Sequence, residues 1–576
     1  MSAAGGRYDD RGKGYLFLLM LVLTIASWFA GVHAIYTIPP ALRLKAYYFA
    51  LLATPAEYRL WILPAIGCIT GFAIMIIVNN YMRSGFEGAD FLYKLRGPDM
   101  ASPAALRDRT KESVPQVTLG SVPVPIEVEK KHIAVGGSTG SGKTQVIAEY
   151  LDGASARGDR IICIDPNGGF MESFWKEGDI ILNPFDQRGS SWSIFNEIRT
   201  AYDVEQFAVS IIPRSASTEQ ETWNAMARTI VSEVMLKLAR TRRGTTAELI
   251  QWLTIASNDD LQGMLADTSA AGVFHGATET LGSIRTVLTQ YITPHKFLSD
   301  AVEGEIPFSI RDWLAQPHGN LWVTWREDML QSLKPLISCW VDVICAASLS
   351  TEPDEKRVTQ LVIDELDSLE KLNYLVPAAT KGRKHGLRIL AGFQSYAQLD
   401  KTNGEKDALT LRNSLSTSVC LMISEMDTLT AEEMSKGLGQ HEVVRAKRSL
   451  SIGGGGNSSR GSMAQESVTE RLVLTSQIHN LAPLTGYLKL SGNYPITKFK
   501  LRYKKRARVV SPLELIVNKW TTAFSEQQAA QLATTPVAAA AVVTPIEVDQ
   551  NQYMSLMTQP TGGARTSGST AGATTS

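Results

Sequence analysis

The chain has 576 residues, of which 44% are hydrophobic and 20% are charged, so it is neither a disordered chain nor one small domain. Lysine plus arginine and aspartate plus glutamate both number 57, so net charge gives no sign of a nucleic-acid partner, and any DNA-binding surface has to be a local patch. The five cysteines include no CxxC pair, which argues against a disulfide framework and against a zinc site.

Two apolar segments near the amino terminus, residues 15–36 and 61–78, carry no Asp, Glu, Lys or Arg. At about 1.5 Å per residue, each helix can cross a hydrocarbon layer of roughly 30 Å. A cleaved signal peptide is the alternative for the first segment, but its apolar stretch is too long and no small-residue cleavage site follows it. We therefore expect residues 1–80 to form a two-helix anchor in a bacterial inner membrane, with a short periplasmic loop at 37–60 and both termini in the cytosol.

Short apolar runs alternate with helical patterns after this anchor. Such alternation predicts an α/β domain with a parallel sheet covered on both faces. A predicted helix covers 146–156. The predicted strands are 117–128, 132–136, 160–165, 180–182, 320–325, 360–364, 387–392 and 418–423.

The stretch 192–304 lacks a convincing buried strand and shows helical spacing, which predicts an inserted all-α domain. The expected nucleotide-binding domain therefore has two parts, 81–191 and 305–510. Glycines 453–456 predict a flexible loop. Residues 511–576 predict a flexible tail of low complexity, rich in Ala, Thr and Gly.

One segment matches the phosphate-binding pattern G-x-x-x-x-G-K-[ST] in full and lies between a predicted strand and a predicted helix. Glycines let backbone amides and the helix amino terminus face an anion. Lys143 would reach the β- and γ-phosphates of ATP, and the Thr144 hydroxyl would bind Mg²⁺. A chance match in a structural loop is the alternative, and the flanking elements argue against it. The predicted phosphate-binding residues are Gly137, Ser138, Thr139, Gly140, Ser141, Gly142, Lys143 and Thr144.

The second half of such a site is a strand that ends in a carboxylate, and residues 361–365 (LVIDE) supply it. Asp364 would hold the magnesium ion, and Glu365 would polarise the attacking water as a general base. The alternative is a solvated acidic turn that caps a helix. A glutamate beside the metal ligand suits hydrolysis better than phosphoryl transfer to a small molecule, so the pair favours a motor ATPase.

Two further residues complete the predicted catalytic set. Gln394 follows the strand 387–392, where it could contact the γ-phosphate and report its loss, although an ordinary surface glutamine is the alternative. Arg383 lies in the basic run 381–388 and could reach into a neighbouring subunit's site as an arginine finger. A solvated or DNA-facing basic helix end is the alternative for Arg383.

Several longer strings resemble a known family: GGSTGSGKT, RIICIDPNGG, LVIDELDSLEKL and TKGRKHGLR. They are similar to the type IV coupling proteins of conjugative plasmids (TraD/TrwB type), and in particular to the TrwB-like members. The similarity covers roughly residues 10–510. It implies a RecA-like P-loop motor domain and a membrane-anchored homohexamer with a small all-α domain. It also implies DNA-dependent ATP hydrolysis that links a relaxase-bound plasmid strand and its relaxosome proteins to a type IV secretion channel.

Single-stranded DNA would then be pumped through the channel of the hexamer, held by its backbone. The candidate basic clusters are 381–388, 240–243 and 498–508, the last of which could instead be an edge strand with outward charges. Two other functions remain open. The chain could be a secretion-system receptor for protein substrates that pumps no DNA, or another DNA translocase of the FtsK/HerA-like kind.

Overall fold

The computed structural model describes most of the chain: residues 8–36, 39, 43–83, 93–241, 244–275, 278–298, 307–316, 319–354, 356–450 and 461–516. Its contacts divide the chain into two compact units. The first consists of Met1–Ala101, Glu425–Asn480 and Tyr494–Thr497, and the second of Ser102–Ser424, Leu481–Asn493 and Lys498–Ser576. The predicted tail from residue 517 onward, the glycines 453–456 and the basic pair Arg242–Arg243 lie outside the described residues.

The first unit begins with three helices, Tyr8–Ile35, Arg43–Ala53 and Tyr58–Arg83. Glycines allow the first and third helices to approach closely. A Cβ atom at Gly67 would lie 2.1 Å from Ser27 Oγ, and one at Gly71 would lie 3.0 Å from Met20 Cγ. Because the residue numbers rise along one helix as they fall along the other, the two helices are antiparallel. Small residues at such a contact are typical of helix pairs in membranes.

The middle helix lies within 37–60, where the sequence predicted a short periplasmic loop between the two spans. The connection therefore contains a helix, and its position in the periplasm stays a prediction. Val32, Ala50 and Leu60 are buried together at this end of the helix pair. The indole Nε1 of Trp28 donates a hydrogen bond to Thr54 Oγ1 at 3.1 Å. This small apolar core provides the burial that the helix Arg43–Ala53 needs in order to fold.

Among the described residues, length and apolar composition mark out one helix as able to cross a membrane, Glu327–Ser350, and 83% of its apolar window is buried within the protein. That burial is typical of a core helix. The predicted spans 15–36 and 61–78 fall on two other helices. The apolar stretches of these helices, Met20–Ile35 and Tyr58–Ile74, are shorter than Glu327–Ser350. The two-helix anchor therefore stays a prediction.

The first unit also contains a three-stranded antiparallel sheet of Tyr93–Arg96, Gln440–Leu450 and Gly461–Arg471, with helices Thr428–Leu438 and Thr475–His479. Its two long strands pair from Gln440 with Arg471 to Leu450 with Gly461. The sequence prediction placed 425–480 in the nucleotide-binding domain. Pairing of Tyr93–Arg96 with the long hairpin instead groups this stretch with the amino-terminal residues.

Eight strands of the large sheet belong to the second unit. Thr485–Lys489 pairs antiparallel with Thr417–Cys420, and all the other neighbouring strands of these eight are parallel. Seven of these strands occupy predicted positions, because each is an apolar run buried between covering helices. In spatial order they are Thr485–Lys489, Thr417–Cys420, Ile133–Gly136, Leu387–Phe393, Thr359–Ile363, Arg160–Pro166, Leu321–Trp325 and Ile180–Leu182.

The strand predicted at 117–128 is wrong. This stretch forms the short antiparallel pair Thr118–Leu119 and Val122–Pro123, followed by the helix Ile126–Glu129. Gly120 and Ser121 have φ values of 60° and 63°, which reverse the chain, and the prolines at 123 and 125 have no N–H to donate to a strand ladder.

The described part of 192–304 contains helices and no strand. These helices belong to the same compact unit as the large sheet. Within the stretch the α-helices are Ala201–Ile211, Thr218–Arg240, Thr246–Ile250, Asn258–Leu265 and Thr278–Ile292. The other α-helices of the second unit are Pro103–Thr110, Ile126–Glu129, Lys143–Arg157, Met171–Phe174, Ile310–Ala315, Leu330–Ser350, Leu375–Lys381, Tyr396–Asn403 and Glu405–Ser414.

A buried ionic network joins elements near the amino ends of the central strands. Glu129, which has no exposed surface, accepts hydrogen bonds from Arg157 at 2.6 and 2.9 Å and from Gln360 Nε2 at 2.7 Å. It also forms an ion pair with Arg388 at 2.6 Å. Burial alone would raise the pKa of Glu129, but the two arginines reverse this and hold the pKa below its usual value.

Replacing Glu129 with alanine leaves Arg388 buried without its carboxylate partner and leaves Arg157 with Asp159 alone, so we expect the free energy of unfolding to fall by about 3–5 kcal/mol. The matched control is Glu127→Ala, which removes a nearby acid that pairs with Arg383 on the surface and should cost less than about 1 kcal/mol. Urea unfolding of the two variants checks this. Equal destabilisation by both substitutions would contradict the assigned role of Glu129.

Candidate nucleotide-binding site

The glycine-rich loop joins the strand Ile133–Gly136 to the helix Lys143–Arg157. Gly140 and Gly142 have φ values of 78° and 108°, in the left-handed region that favours glycine. The first N–H groups of the following helix have no partner within the helix, and the helix dipole adds positive potential at this end. The loop therefore presents amide donors and a positive field, which suits a phosphate chain.

Backbone hydrogen bonds hold this loop to its neighbours in the second unit. The amide of Gly137 donates to Phe393 O at 3.2 Å, and that of Ser138 donates to Met422 O at 2.9 Å. Ser141, which is fully buried, accepts a bond at its carbonyl from the Leu484 amide at 2.9 Å. Because three separate segments fix it, the loop is preorganised for its ligand.

The acidic pair follows the strand Thr359–Ile363, which is separated from the loop strand by Leu387–Phe393. Two strand spacings amount to about 10 Å, a gap that a lysine side chain can largely span. Lys143 and Asp364 approach each other at Gly392, because a Cβ atom on Gly392 would lie 2.1 Å from Asp364 O and 3.3 Å from Lys143 Cδ. The structure thus brings Lys143 and Asp364 together across a glycine.

Both acids are half-buried beside this ammonium group. Burial raises the pKa of Asp364, and Lys143 only partly opposes that effect. The Asp364 Oδ1 atom is buried and has no hydrogen-bond partner within the protein. A buried, unpaired carboxylate oxygen near the Thr144 end of a phosphate-binding loop fits a magnesium ion, which binds oxygen ligands and retains several waters. Burial likewise raises the pKa of Glu365.

Gln394 connects the acidic pair to the loop. Its Nε2 donates a short hydrogen bond to Glu365 Oε1, and its Oε1 accepts one from the Thr139 hydroxyl at 3.3 Å. One amide side chain therefore contacts both the predicted general base and the phosphate-binding loop, at the place where the sequence predicted a γ-phosphate sensor.

Two residues at this site were not predicted. Asp367 Oδ2 accepts hydrogen bonds from the backbone N–H of Gln394 at 2.9 Å and from the backbone N–H of Ser395 at 3.2 Å. These two bonds fix the backbone that carries the Gln394 side chain. The sequence showed it only as the last acid of an Asp-Glu-Leu-Asp turn. Gly392 was overlooked as well, although a glycine in a buried strand commonly marks a close backbone approach.

Arg383 lies away from the other predicted site residues of its own chain. It sits in the turn Gly382–His385, just before the strand Leu387–Phe393, whereas the glycine loop and the acids lie at the opposite strand ends. Seven strand residues at about 3.3 Å each separate the two ends by roughly 20 Å. The side chain is half exposed and pairs with Glu127 at 3.0 Å. Its contact with a neighbouring subunit stays a prediction.

The basic clusters differ in exposure. In the cluster 381–388, Arg388 and His385 are buried, while Lys381 and Lys384 are exposed. Most of 498–508 is not a strand, because regular pairing ends at Lys500. The alternative that was left open for 498–508, an edge strand with outward charges, therefore applies only as far as Lys500.

The parallel sheet, the glycine loop and the acidic pair two strands away define a RecA-like P-loop nucleoside triphosphatase fold. Residues 116–502 match the family model of the type IV secretion-system coupling protein DNA-binding domain. The chain belongs to the TraD/TrwB-type family of type IV secretion-system coupling proteins.

Individual relatives agree with this assignment. The coupling protein TraD of Escherichia coli K12 is 30% identical over 400 residues, which are 68% of this chain and 55% of TraD, so the chain spans about half of that relative. The conjugative coupling protein TrwBdeltaN70 in its unbound form is 44% identical with a TM-score of 0.69, covering 74% of this chain and 98% of TrwBdeltaN70. TrwB in complex with ADP and Mg²⁺ is 42% identical with a TM-score of 0.69, covering 75% and 100%.

Replacing Gly392 with alanine should separate Lys143 from Asp364, because the added methyl group overlaps the Asp364 backbone. We expect the affinity for MgATP to fall at least tenfold, or about 1.4 kcal/mol. Gly282→Ala is the matched control, because Gly282 is at an exposed position of the helix Thr278–Ile292 and a Cβ atom there would meet nothing within 4 Å. Isothermal titration with MgATP compares them, and wild-type affinity in Gly392→Ala would contradict the site geometry.

Proposed function

We propose that this chain is a membrane-anchored, DNA-dependent ATPase that couples a relaxase-bound plasmid strand to a type IV secretion channel during conjugation. The observation that carries the proposal is the approach of Lys143 to Asp364 across Gly392, in a chain of the coupling-protein family. The bound ADP and Mg²⁺ in the related TrwB structure support the same ligands here.

Lys143 and the loop amides other than those of Gly137, Ser138 and Ser141, which bond to protein carbonyls, would bind the β- and γ-phosphates. Thr144 and Asp364 would hold a magnesium ion that neutralises phosphate charge. Glu365 would accept a proton from the attacking water. Burial raises the pKa of Glu365, which brings this carboxylate closer to the value that suits a general base.

Gln394 would couple the nucleotide state to the base. In the structure the side-chain amide of Gln394 donates a hydrogen bond to the Glu365 carboxylate. A γ-phosphate offers this donor a competing, more highly charged acceptor, so Gln394 would turn to the phosphate and leave Glu365 available for water. Loss of the phosphate after hydrolysis would restore the first arrangement, and Asp367 keeps the backbone of Gln394 in place throughout.

The membrane anchor has support in the surface of the first and third helices. Apolar side chains are exposed on both, whereas glycines line their contact. A monomeric protein in water rarely exposes so many apolar side chains side by side, and a lipid environment would cover them. The exposed residues include Leu21, Val22, Ile25, Phe29, Ile62, Ile66, Ile69 and Phe72. We place the chain in the bacterial inner membrane, with the nucleotide site in the cytosol.

The chain would assemble into a homohexamer, in which each nucleotide site is completed by a neighbouring subunit. Arg383 is half exposed at the end of the sheet opposite the nucleotide site, so it could contact the site of a neighbouring subunit. Hydrolysis would then move channel loops that hold single-stranded DNA by its phosphates. The relaxosome and the inner-membrane components of the channel would be the protein partners.

ATP hydrolysis by the full chain in detergent, with and without single-stranded DNA, tests the proposal. We expect DNA to stimulate hydrolysis, and Lys143→Ala to lower the rate about a hundredfold or more, because it removes a cation from the transferring phosphate. Lys406→Ala, which removes an exposed lysine of the helix Glu405–Ser414, is the control and should change little.

Hydrolysis that persists unchanged without Lys143 would contradict the site. A Lys143-dependent rate that ignores added DNA would instead favour a receptor for protein substrates.

A further inference from the structure

The acidic pair is followed by a short connection, residues 366–374, which we call the post-acid segment. Its beginning bears on the nucleotide site, because Asp367 holds the backbone of Gln394, whose side chain contacts Glu365. A displacement of the post-acid segment therefore changes the surroundings of both the proposed γ-phosphate sensor and the proposed general base.

A buried carboxylate holds the far end of the post-acid segment. Asp342 lies in the core helix Leu330–Ser350 and is 1% exposed. Its Oδ1 atom accepts a hydrogen bond from the backbone N–H of Tyr374 at 2.7 Å. Its Oδ2 atom accepts one at 2.8 Å from the hydroxyl of Ser210, which belongs to the stretch 192–304, called the helical insert from here on. Burial raises the pKa of Asp342 to about 7, and the bonds from these two donors oppose that rise.

A second bridge runs beside this carboxylate. Ser210 is the penultimate residue of the helix Ala201–Ile211. Asn373 Nδ2 donates to Val209 O at 3.1 Å, and Asn373 Oδ1 accepts a bond from the backbone N–H of Arg214 at 3.2 Å. The end of this helix is thus bound to the post-acid segment twice, directly through an amide side chain and indirectly through a buried carboxylate.

The next helix of the insert, Thr218–Arg240, is bound to the same place. Asn224, which is 1% exposed, donates from Nδ2 to Pro213 O at 2.9 Å, and Arg228 donates to the same carbonyl at 3.3 Å. Pro213 comes directly before the residue whose N–H bonds to the post-acid segment. This helix ends at the exposed Arg240, in one of the candidate basic clusters. Hydrogen bonds therefore connect a basic surface of the insert with the segment that follows the acidic pair.

We propose that Asp342 is a positioning residue that couples the helical insert to the nucleotide site, so that DNA changes the rate of ATP hydrolysis through the bond between Ser210 and Asp342. The inference rests on the proposed DNA-dependent ATPase function and names the route of its regulation. Coupling between two sites needs an element with two arrangements that both sites bias, and the Gln394 side chain is that element.

The route has three steps. When DNA shifts the helix Ala201–Ile211, the buried carboxylate follows its hydroxyl donor and displaces the Tyr374 backbone that it also holds. The post-acid segment carries this displacement to Asp367 and so to the backbone of Gln394. The Gln394 amide then releases Glu365 to the attacking water more readily.

Hydrolysis of ATP by the full chain in detergent, with and without single-stranded DNA, tests the route in Ser210→Ala. This variant removes the donor from the helical insert and leaves the Tyr374 bond to Asp342 in place. We expect the basal rate, the KM for ATP and the affinity for single-stranded DNA to equal those of the wild type. The ratio of the rates with and without DNA should fall about fivefold, at the lower end of the usual coupling between sites.

Ser348→Ala is the matched control. Ser348 and Ser210 are both 4% exposed, but the Ser348 hydroxyl donates to Ile344 O within its own helix. Its removal costs a buried hydroxyl without touching the helical insert, so DNA stimulation should equal that of the wild type.

Two substitutions of Asp342 test the carboxylate itself. Asp342→Asn keeps an oxygen that can accept from the Tyr374 N–H and gains an amide that can donate to the Ser210 hydroxyl, so it should keep most of the stimulation. Asp342→Ala removes both bonds and should lower the stimulation at least as far as Ser210→Ala does.

The outcomes separate this inference from the function on which it rests. Stimulation that survives in Ser210→Ala overturns the coupling, and so does an equal loss in Ser348→Ala. A basal rate that falls in proportion to the stimulated rate also overturns it, because Ser210 then serves folding alone. Weaker DNA binding with a wild-type rate at saturating DNA overturns it as well and assigns the helix to DNA contact. If DNA does not stimulate the wild type, the proposed function itself fails, and the coupling fails with it.

Discussion

The site depends on one constraint: the Lys143 side chain has to cross the strand Leu387–Phe393 to approach the acids that follow Thr359–Ile363. Only a residue without a side chain leaves room for this crossing, and Gly392 occupies that position. The crossing puts a cation next to two half-buried carboxylates, and this cation opposes the rise in pKa that partial burial causes at Asp364 and Glu365. The strand that Lys143 crosses also positions the proposed γ-phosphate sensor, because Gln394 follows directly after Phe393.

Local patterns were enough to predict most of the sheet and the phosphate-binding loop. A buried parallel strand is a short apolar run, and the glycine loop needs consecutive residues, so each of these signals lies within about ten positions. The prediction at 117–128 failed for a local reason as well. Alternating apolar residues there resembled a strand, but the turn at Gly120 and Ser121 and the prolines after it break the ladder.

Relations between distant segments could not be predicted in the same way. The positions of Gly392 and Asp367 acquire meaning only once the strand order places them beside Lys143 and Gln394. The basic run 498–508 illustrates the same limit, since sequence shows its charges but not Asp152, the acid 352 positions away that pairs with Lys504. The helix Arg43–Ala53 likewise depends on Trp28 and Leu60 for its burial.

The most direct measurement is a structure of the Glu365→Gln variant with Mg²⁺ and ATP, in which the substrate persists because the proton acceptor is gone. The account predicts one magnesium-bound triphosphate in contact with Lys143, Thr144 and Asp364, with the Gln394 amide turned to the γ-phosphate. A triphosphate bound away from Asp364, or a Gln394 still turned toward residue 365, would contradict it.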